Sequence, residues 1–113
     1  MLPIKNRLKK RDDFAQVFSK GAYAGYDGLS IKYAKNSLEV FRIGFPIGKN
    51  YSKKAVTRNR TRRVLRKACS EFLLQLKPGF DIIVLIKPVN QDIELTKIIT
   101  ELKRVLSKAN LLT

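Results

Sequence analysis

Hydrophobic residues recur along the chain with two periods, and the switches between them divide it into elements. In residues 11–21, RDDFAQVFSKG, the side chains of Phe14, Val17 and Phe18 fall at helical spacing, behind two acids and ahead of a glycine. The acids offset the positive end of a helix and the glycine marks its stop, so the stretch predicts a short amphipathic helix. Between residues 23 and 47 the period shortens to two. Leu29, Ile31 and Tyr33 alternate with polar positions, and Phe41, Ile43, Phe45 and Ile47 alternate with Val40, Arg42 and Gly44. This predicts two strands joined by a turn near Lys35-Asn36-Ser37, the second ending near Pro46, which has no N–H to give a neighbouring strand.

The helical period returns over residues 54–76 and stops at Lys77-Pro78-Gly79. Thr61, Leu65, Ala68 and Phe72, flanked by Val64 and Gln75, occupy one arc of that helix; Asn59, Arg62, Arg63, Arg66 and Lys67 occupy the other side. Residues 80–87, FDIIVLIK, are an apolar run too short for a helix and read as a strand covered on both faces. A last helix is predicted over residues 92–109, with Leu95, Ile98, Ile99, Leu102, Val105, Leu106 and Ala109 as its buried stripe. The order is αββαβα, which a single α+β domain over residues 1–113 accommodates as a central mixed sheet covered by helices.

Composition narrows the chemistry. A chain of 113 residues, 44% hydrophobic, can bury one core but not two. Its 24 Lys and Arg against 9 Asp and Glu give a net charge of +15, which points to nucleic acid or an anionic membrane as partner. Without histidine, imidazole acid–base catalysis and imidazole metal ligation are excluded. The lone Cys69 cannot form an internal disulfide, and among apolar neighbours it reads as an inert buried thiol. The glycines and lysine of GFPIGKN lack the spacing of a phosphate-cradling loop, and Asp12 with Asp13 reads as a pair of helix-dipole partners, so no metal site is expected. No apolar run approaches the ~20 residues that cross a bilayer, and the N-terminus is too polar for a secretory signal, so the expected location is the cytoplasm.

The charge is concentrated. Residues 53–67, KKAVTRNRTRRVLRK, hold eight cations and no acid. Like charges one turn apart repel, so a polyanionic partner is implied, and the arginine fork suits phosphate oxygens and guanine edges. The apolar face of this helix is needed to cover the sheet, which leaves nothing to enter lipid. Single-stranded RNA stacks its bases on exposed rings, and Phe14 and Phe18, one turn apart, are candidates for stacking or for the core; Tyr23, Tyr26 and Tyr33 share that ambiguity.

The run AVTRNRTRR with its central Arg58-Asn59-Arg60 resembles the signature of the bacterial ribonuclease P protein subunit. The likeness extends to Arg7-Leu8, Asp13-Phe14, Val17-Phe18, Arg42-Ile43-Gly44 and Asp81-Ile82-Ile83-Val84 in the same order. It implies a non-catalytic protein subunit of an RNA-based endoribonuclease that removes the 5′ leader of precursor tRNA, with Mg2+ held by the catalytic RNA. The implied partners are that RNA and the precursor's leader, without a membrane or a required protein partner. By the same resemblance, Lys53, Lys54, Arg58, Asn59, Arg60, Arg62, Arg63, Arg66 and Lys67 would bind RNA, and Phe14, Phe18 and Lys32 would line a leader-binding cleft. Lys32 and its neighbour Tyr33 point to opposite faces of a strand, and the register near residues 29–33 leaves either as the cleft residue, with Lys32 taken as the candidate. The resemblance also implies a left-handed βαβ crossover, against the usual right-handed preference. Departures from the family pattern are Pro46, Asn50 in place of a lysine, and a loop about one residue longer before the helix. The alternative is a small ribosomal or ribosome-assembly protein that clamps rRNA with the same helix.

Overall fold

The computed structural model describes residues 2–26, 28–87 and 93–113. A short 3-10 turn, Ile4–Asn6, precedes α1 (Arg11–Lys20), β1 (Ala22–Tyr26), β2 (Leu29–Lys35), β3 (Arg42–Gly44), α2 (Ala55–Ser70), β4 (Phe80–Ile86) and α3 (Leu95–Lys108). The four strands lie in the order β1-β2-β4-β3. β1 and β2 pair antiparallel, as do β2 and β4, whereas β3 and β4 are parallel and joined through α2. This is the mixed, helix-covered α+β sheet that the hydrophobic pattern predicts.

Three details differ from that expectation. First, the sheet has a fourth strand, β1, which forms a hairpin with β2 by pairing Tyr26 with Leu29. Small residues at Ala22, Ala24 and Gly25 weaken its alternation, but Asp27-Gly28 between the strands is the strongest short hairpin signal a sequence carries. Second, β3 is only three residues long and lies beyond β4, so the two strands read around residues 35–37 do not pair. The chain leaves β3 in a tight turn, with the Ile47 N–H bonded to the Phe45 carbonyl across Pro46. Third, α2 ends at Ser70 rather than near residue 76. Residues 71–75 continue as turns bonded three residues back, and Lys77 and Thr113 then exchange backbone bonds with Leu111 and Gln75. Phe72 and Leu76 stay buried while Gln75, expected beside them, is exposed. Pro78 ends the segment itself, because it disfavours helical geometry at Lys77 and cannot donate a hydrogen bond.

Each face of the sheet carries its own core. On one, α2 and α3 cover Leu29, Ile31, Ile43, Ile82 and Val84 with Leu65, Ala68, Leu102, Val105 and Leu106. The buried stripe of α3 is the one its periodicity predicts, with Leu95, Ile99 and Ala109 partly buried at its margins; Asp92, the expected first residue of that helix, lies outside the described residues. On the other face, α1 lays Val17 against Ile83 and Leu8, with Phe14 packed alongside. β4 is therefore covered on both faces, and Ile82 and Ile83 are fully buried on opposite sides of it. Among the described residues no helix is long and apolar enough to cross a membrane.

Candidate nucleic-acid interface

α1 is fixed to its face of the sheet by polar as well as apolar contacts. Arg42 on β3 grips Asp81 on β4 with two bonds, Nε to Oδ1 at 2.7 Å and Nη2 to Oδ2 at 2.6 Å, and reaches Asp13 of α1 at 3.3 Å. Asn36 adds a bond to Asp81 Oδ1 at 2.9 Å. Hydrogen bonding to Asp81 holds the Arg42 guanidinium charged, with a pKa above its ordinary value despite partial burial. Asp13, one of the two acids expected to act on the helix dipole, is thus an ion-pair partner as well. Next along β3, Gly44 has no side chain where a Cβ would overlap the Phe14 ring, so the ring seats directly on the strand.

At the far end of α1, Lys32 of β2 donates from Nζ to the Phe18 carbonyl at 3.0 Å and lies 5.7 Å from the centre of the Phe18 ring. The lysine satisfies one of the last carbonyls of the helix and places its charge on the negative end of the helix dipole. Tyr33 points to the opposite face, where its ring meets Phe80 edge-on at 6.4 Å. Phe18 itself is 41% exposed, while Phe14 is half-buried. The pair that was ambiguous in sequence therefore divides: Phe14 packs and Phe18 presents a ring to solvent.

The basic residues of α2 form two ridges. Arg58, Arg62 and Arg66, four residues apart, are half-buried; Asn59, Arg60, Arg63 and Lys67 are exposed. The first ridge holds the preceding loop: Arg58 Nη1 donates to the Ser52 carbonyl at 2.9 Å, and Arg62 donates to the Ile47 carbonyl and to Asn59 Oδ1. The buried Thr61 hydroxyl donates to the Tyr51 hydroxyl at 3.2 Å, which ties the same loop to the helix. Lys53 and Lys54 are exposed in that loop, the Lys54 N–H bonding to Ser52 Oγ.

Between α2 and the start of α1 runs a groove of about 270 Å³, whose walls include Arg7, Lys9, Phe14, Phe45, Arg62 and Arg66. It adjoins a second hollow bounded by Arg11, Phe14, Pro46 and Arg62. Of the expected site residues, this geometry gathers Phe14, Arg62 and Arg66, with Phe18 one helical turn beyond Phe14. Lys53, Lys54, Arg58, Asn59, Arg60, Arg63 and Lys67 do not line the groove. Sequence reasoning missed the opposite wall: the run Lys9-Lys10-Arg11 was there to be read, whereas Phe45 looked like one more inward strand residue. The remaining titratable group of note, Cys69, is fully enclosed in the core, and burial pushes its thiol up to about 12.

A basic helix beside an aromatic, cationic groove has the chemistry that suits single-stranded nucleic acid. The family model for Ribonuclease P matches residues 2–110. A Ribonuclease P protein component from Pseudanabaena sp. is 42% identical, the alignment covering 99% of this chain and 97% of the relative. One from Cyanothece sp. is 33% identical over 99% of this chain and 98% of its own length. The solved RNase P protein of Staphylococcus aureus superposes with a TM-score of 0.83 at 26% identity, covering 96% of this chain and 98% of that one. The chain therefore belongs to the ribonuclease P protein family, the non-catalytic protein component of a ribonucleoprotein endoribonuclease.

Proposed function

We propose that the two ridges of α2 divide the RNA-binding work of this subunit. The exposed ridge of Asn59, Arg60, Arg63 and Lys67, with Lys53 and Lys54, grips the catalytic RNA in the cytoplasm. The groove of Arg62, Arg66, Phe14 and Phe45, continued by Phe18 and Lys32, takes the single-stranded 5′ leader of precursor tRNA. The observation that carries this division is that Arg62 and Arg66 share a groove with two aromatic rings, while Arg63 and Lys67 stand exposed outside it. Rings bind any base through stacking and arginines bind the backbone, so the groove would hold a leader with little sequence preference.

Hydrolysis of the leader phosphodiester needs magnesium, which favours phosphate, carbonyl and water oxygens in octahedral geometry. Among the described residues no cluster of three acidic or thiol side chains offers such a cradle, and the Asp13 and Asp81 carboxylates are engaged by Arg42. In the proposed reading the metal belongs to the catalytic RNA. The protein's own contribution is to bind and orient.

The test is a reconstituted holoenzyme with precursor and mature tRNA as ligands. Arg66→Ala should reduce the preference for precursor over mature tRNA and leave binding of the catalytic RNA nearly unchanged. Arg63→Ala should weaken catalytic RNA binding and flatten its log–log salt slope by about 0.7–0.9 if one phosphate contact is lost. Equal effects of both substitutions on both ligands would overturn the division. Capture of rRNA alone by the tagged chain would overturn the assignment as a whole.

A further inference from the structure

The α1 face of the sheet extends past Phe18 to a feature that the proposed function does not use. Tyr23 of β1 stands opposite Lys32 in the ladder with β2, so both side chains rise from the same face with Cβ atoms about 5 Å apart. Lys32 in turn lies over Phe18, which makes Phe18, Lys32 and Tyr23 consecutive neighbours across the face. The Tyr23 ring does not stand upright. It leans along β1 over Gly25, where a Cβ would overlap its hydroxyl and outer ring carbons. The outer end of the ring thus rests beside the glycine, and Tyr23 remains 63% exposed, with ring surface open to a base. It borders an open hollow of about 570 Å³ that also touches Ser30, Leu85, Lys87 and Lys108. That volume is within the ~300–1,000 Å³ range of small-ligand sites, and both lysines at its rim are exposed.

We infer that Tyr23 is a second stacking platform for the leader, holding a nucleotide upstream of the one at Phe18 and Lys32, with Lys87 and Lys108 supplying charge to its phosphates. The inference rests on the leader groove proposed above. Its direction follows from the arrangement of the parts: catalytic RNA on the exposed ridge of α2 places the scissile phosphate at that end. The leader then runs from Arg62 and Arg66 past Phe14 and Phe18, and only longer leaders arrive at Tyr23. The adjacency of Tyr23 to Lys32 and Phe18 and the cationic rim select single-stranded RNA over an apolar partner.

The experiment uses holoenzyme reconstituted with the catalytic RNA and a series of precursor tRNAs whose leaders grow one nucleotide at a time. Tyr23→Ala should weaken binding about fivefold or more, the loss expected when one base stack is removed. That loss should begin only at leaders longer than those at which Phe18→Ala first has an effect. Tyr23→Phe, which keeps the ring, should bind as the parent does, and neither Tyr23 variant should shift the urea unfolding midpoint. If Phe18→Ala weakens binding and Tyr23→Ala does not at any length, the inference falls and the groove stands. Equal loss for Tyr23→Ala at every length would place Tyr23 against tRNA or catalytic RNA and also overturn it. If neither variant alters affinity, the leader groove itself is refuted.

Discussion

Replacing Arg42 by methionine keeps the side-chain stem and removes the guanidinium that pins α1 to the sheet. The two bonds to Asp81, at 2.6 and 2.7 Å, are as short as charge-assisted bonds become, and the Asp81 side chain is only 8% exposed. The contact with Asp13 is longer, 3.3 Å, to a side chain that is 25% exposed, and is worth no more than about 1 kcal/mol. Deleting one partner of a buried pair costs about 3–5 kcal/mol, because the other charge is left enclosed. Arg42 is itself 22% exposed, so water can enter where its guanidinium was, and Asn36 still donates to Asp81. A loss near the lower end, about 3 kcal/mol, is therefore expected. Domains of this kind have about 5–15 kcal/mol in hand, so the variant should fold and its urea midpoint should fall at unchanged slope.

Adding Asp81→Asn removes the stranded charge. The double variant should be more stable than the sum of the single losses predicts, with a coupling on the order of 2 kcal/mol. Because Arg42 holds its proton more tightly in the fold, its own titration leaves the contribution intact from neutral pH up to an arginine's ordinary range and removes it only beyond that range. The destabilisation of Arg42→Met should therefore be the same at neutral and mildly alkaline pH. A loss under about 1 kcal/mol would show that the pair behaves as a surface salt bridge and would refute the reasoning.

Phe14→Ala, which empties a packed position over Gly44, should cost up to about 3 kcal/mol of stability, below the full-burial value because the ring is only half-buried. Phe18→Ala should leave unfolding within about 0.5 kcal/mol while weakening leader binding; an unfolding loss comparable to that of Phe14→Ala would return Phe18 to the core. Gly44→Ala should destabilise by about 1–3 kcal/mol, since its methyl must displace the Phe14 ring, and Phe14→Leu in the same chain should relieve part of that loss. Cys69 ionises at about 8.5 in the unfolded chain but only near 12 in the fold, so below 8.5 its contribution is constant. Between those values the unfolded state has lost the proton that the folded state keeps, and stability should fall by about 1.4 kcal/mol per pH unit. Cys69→Ala should remove that component of the slope, which urea titrations along the alkaline limb would register.

The parts of the fold that sequence reveals are those whose burial repeats locally. FDIIVLIK is apolar throughout because β4 has helices on both faces, and the α3 stripe follows one side of one helix. What periodicity cannot carry is the order of strands. Nothing near Arg42 says that β3 passes beyond β4, since that position is fixed by Arg42 reaching Asp81, 39 residues away. The end of α2 was hidden for a different reason: Ala68, Phe72 and Leu76 keep helical spacing and are all buried, although the backbone has already tightened into turns at Phe72 and pairs with Leu112 at Leu76. At the interface, charge revealed the helix but not its division, which depends on which arginines the fold sets against Phe14, Phe45 and the segment before α1.

That division bears on affinity. Arg62 donates to a loop carbonyl and Lys32 to the carbonyl of Phe18, so each of these long side chains is held in place by the protein's own backbone. An arginine has five N–H donors, and a bond to one carbonyl leaves others to reach a phosphate. Ordering such a side chain costs about 1.5–2 kcal/mol of rotamer entropy when it occurs on binding. Here much of that ordering accompanies folding, so a strand entering the groove meets a partly organised wall. The exposed ridge of α2 lies on a helix surface open to solvent, where long-range attraction and counterion release dominate. The groove should therefore contribute more through pre-ordered geometry and the outer ridge more through salt-dependent charge.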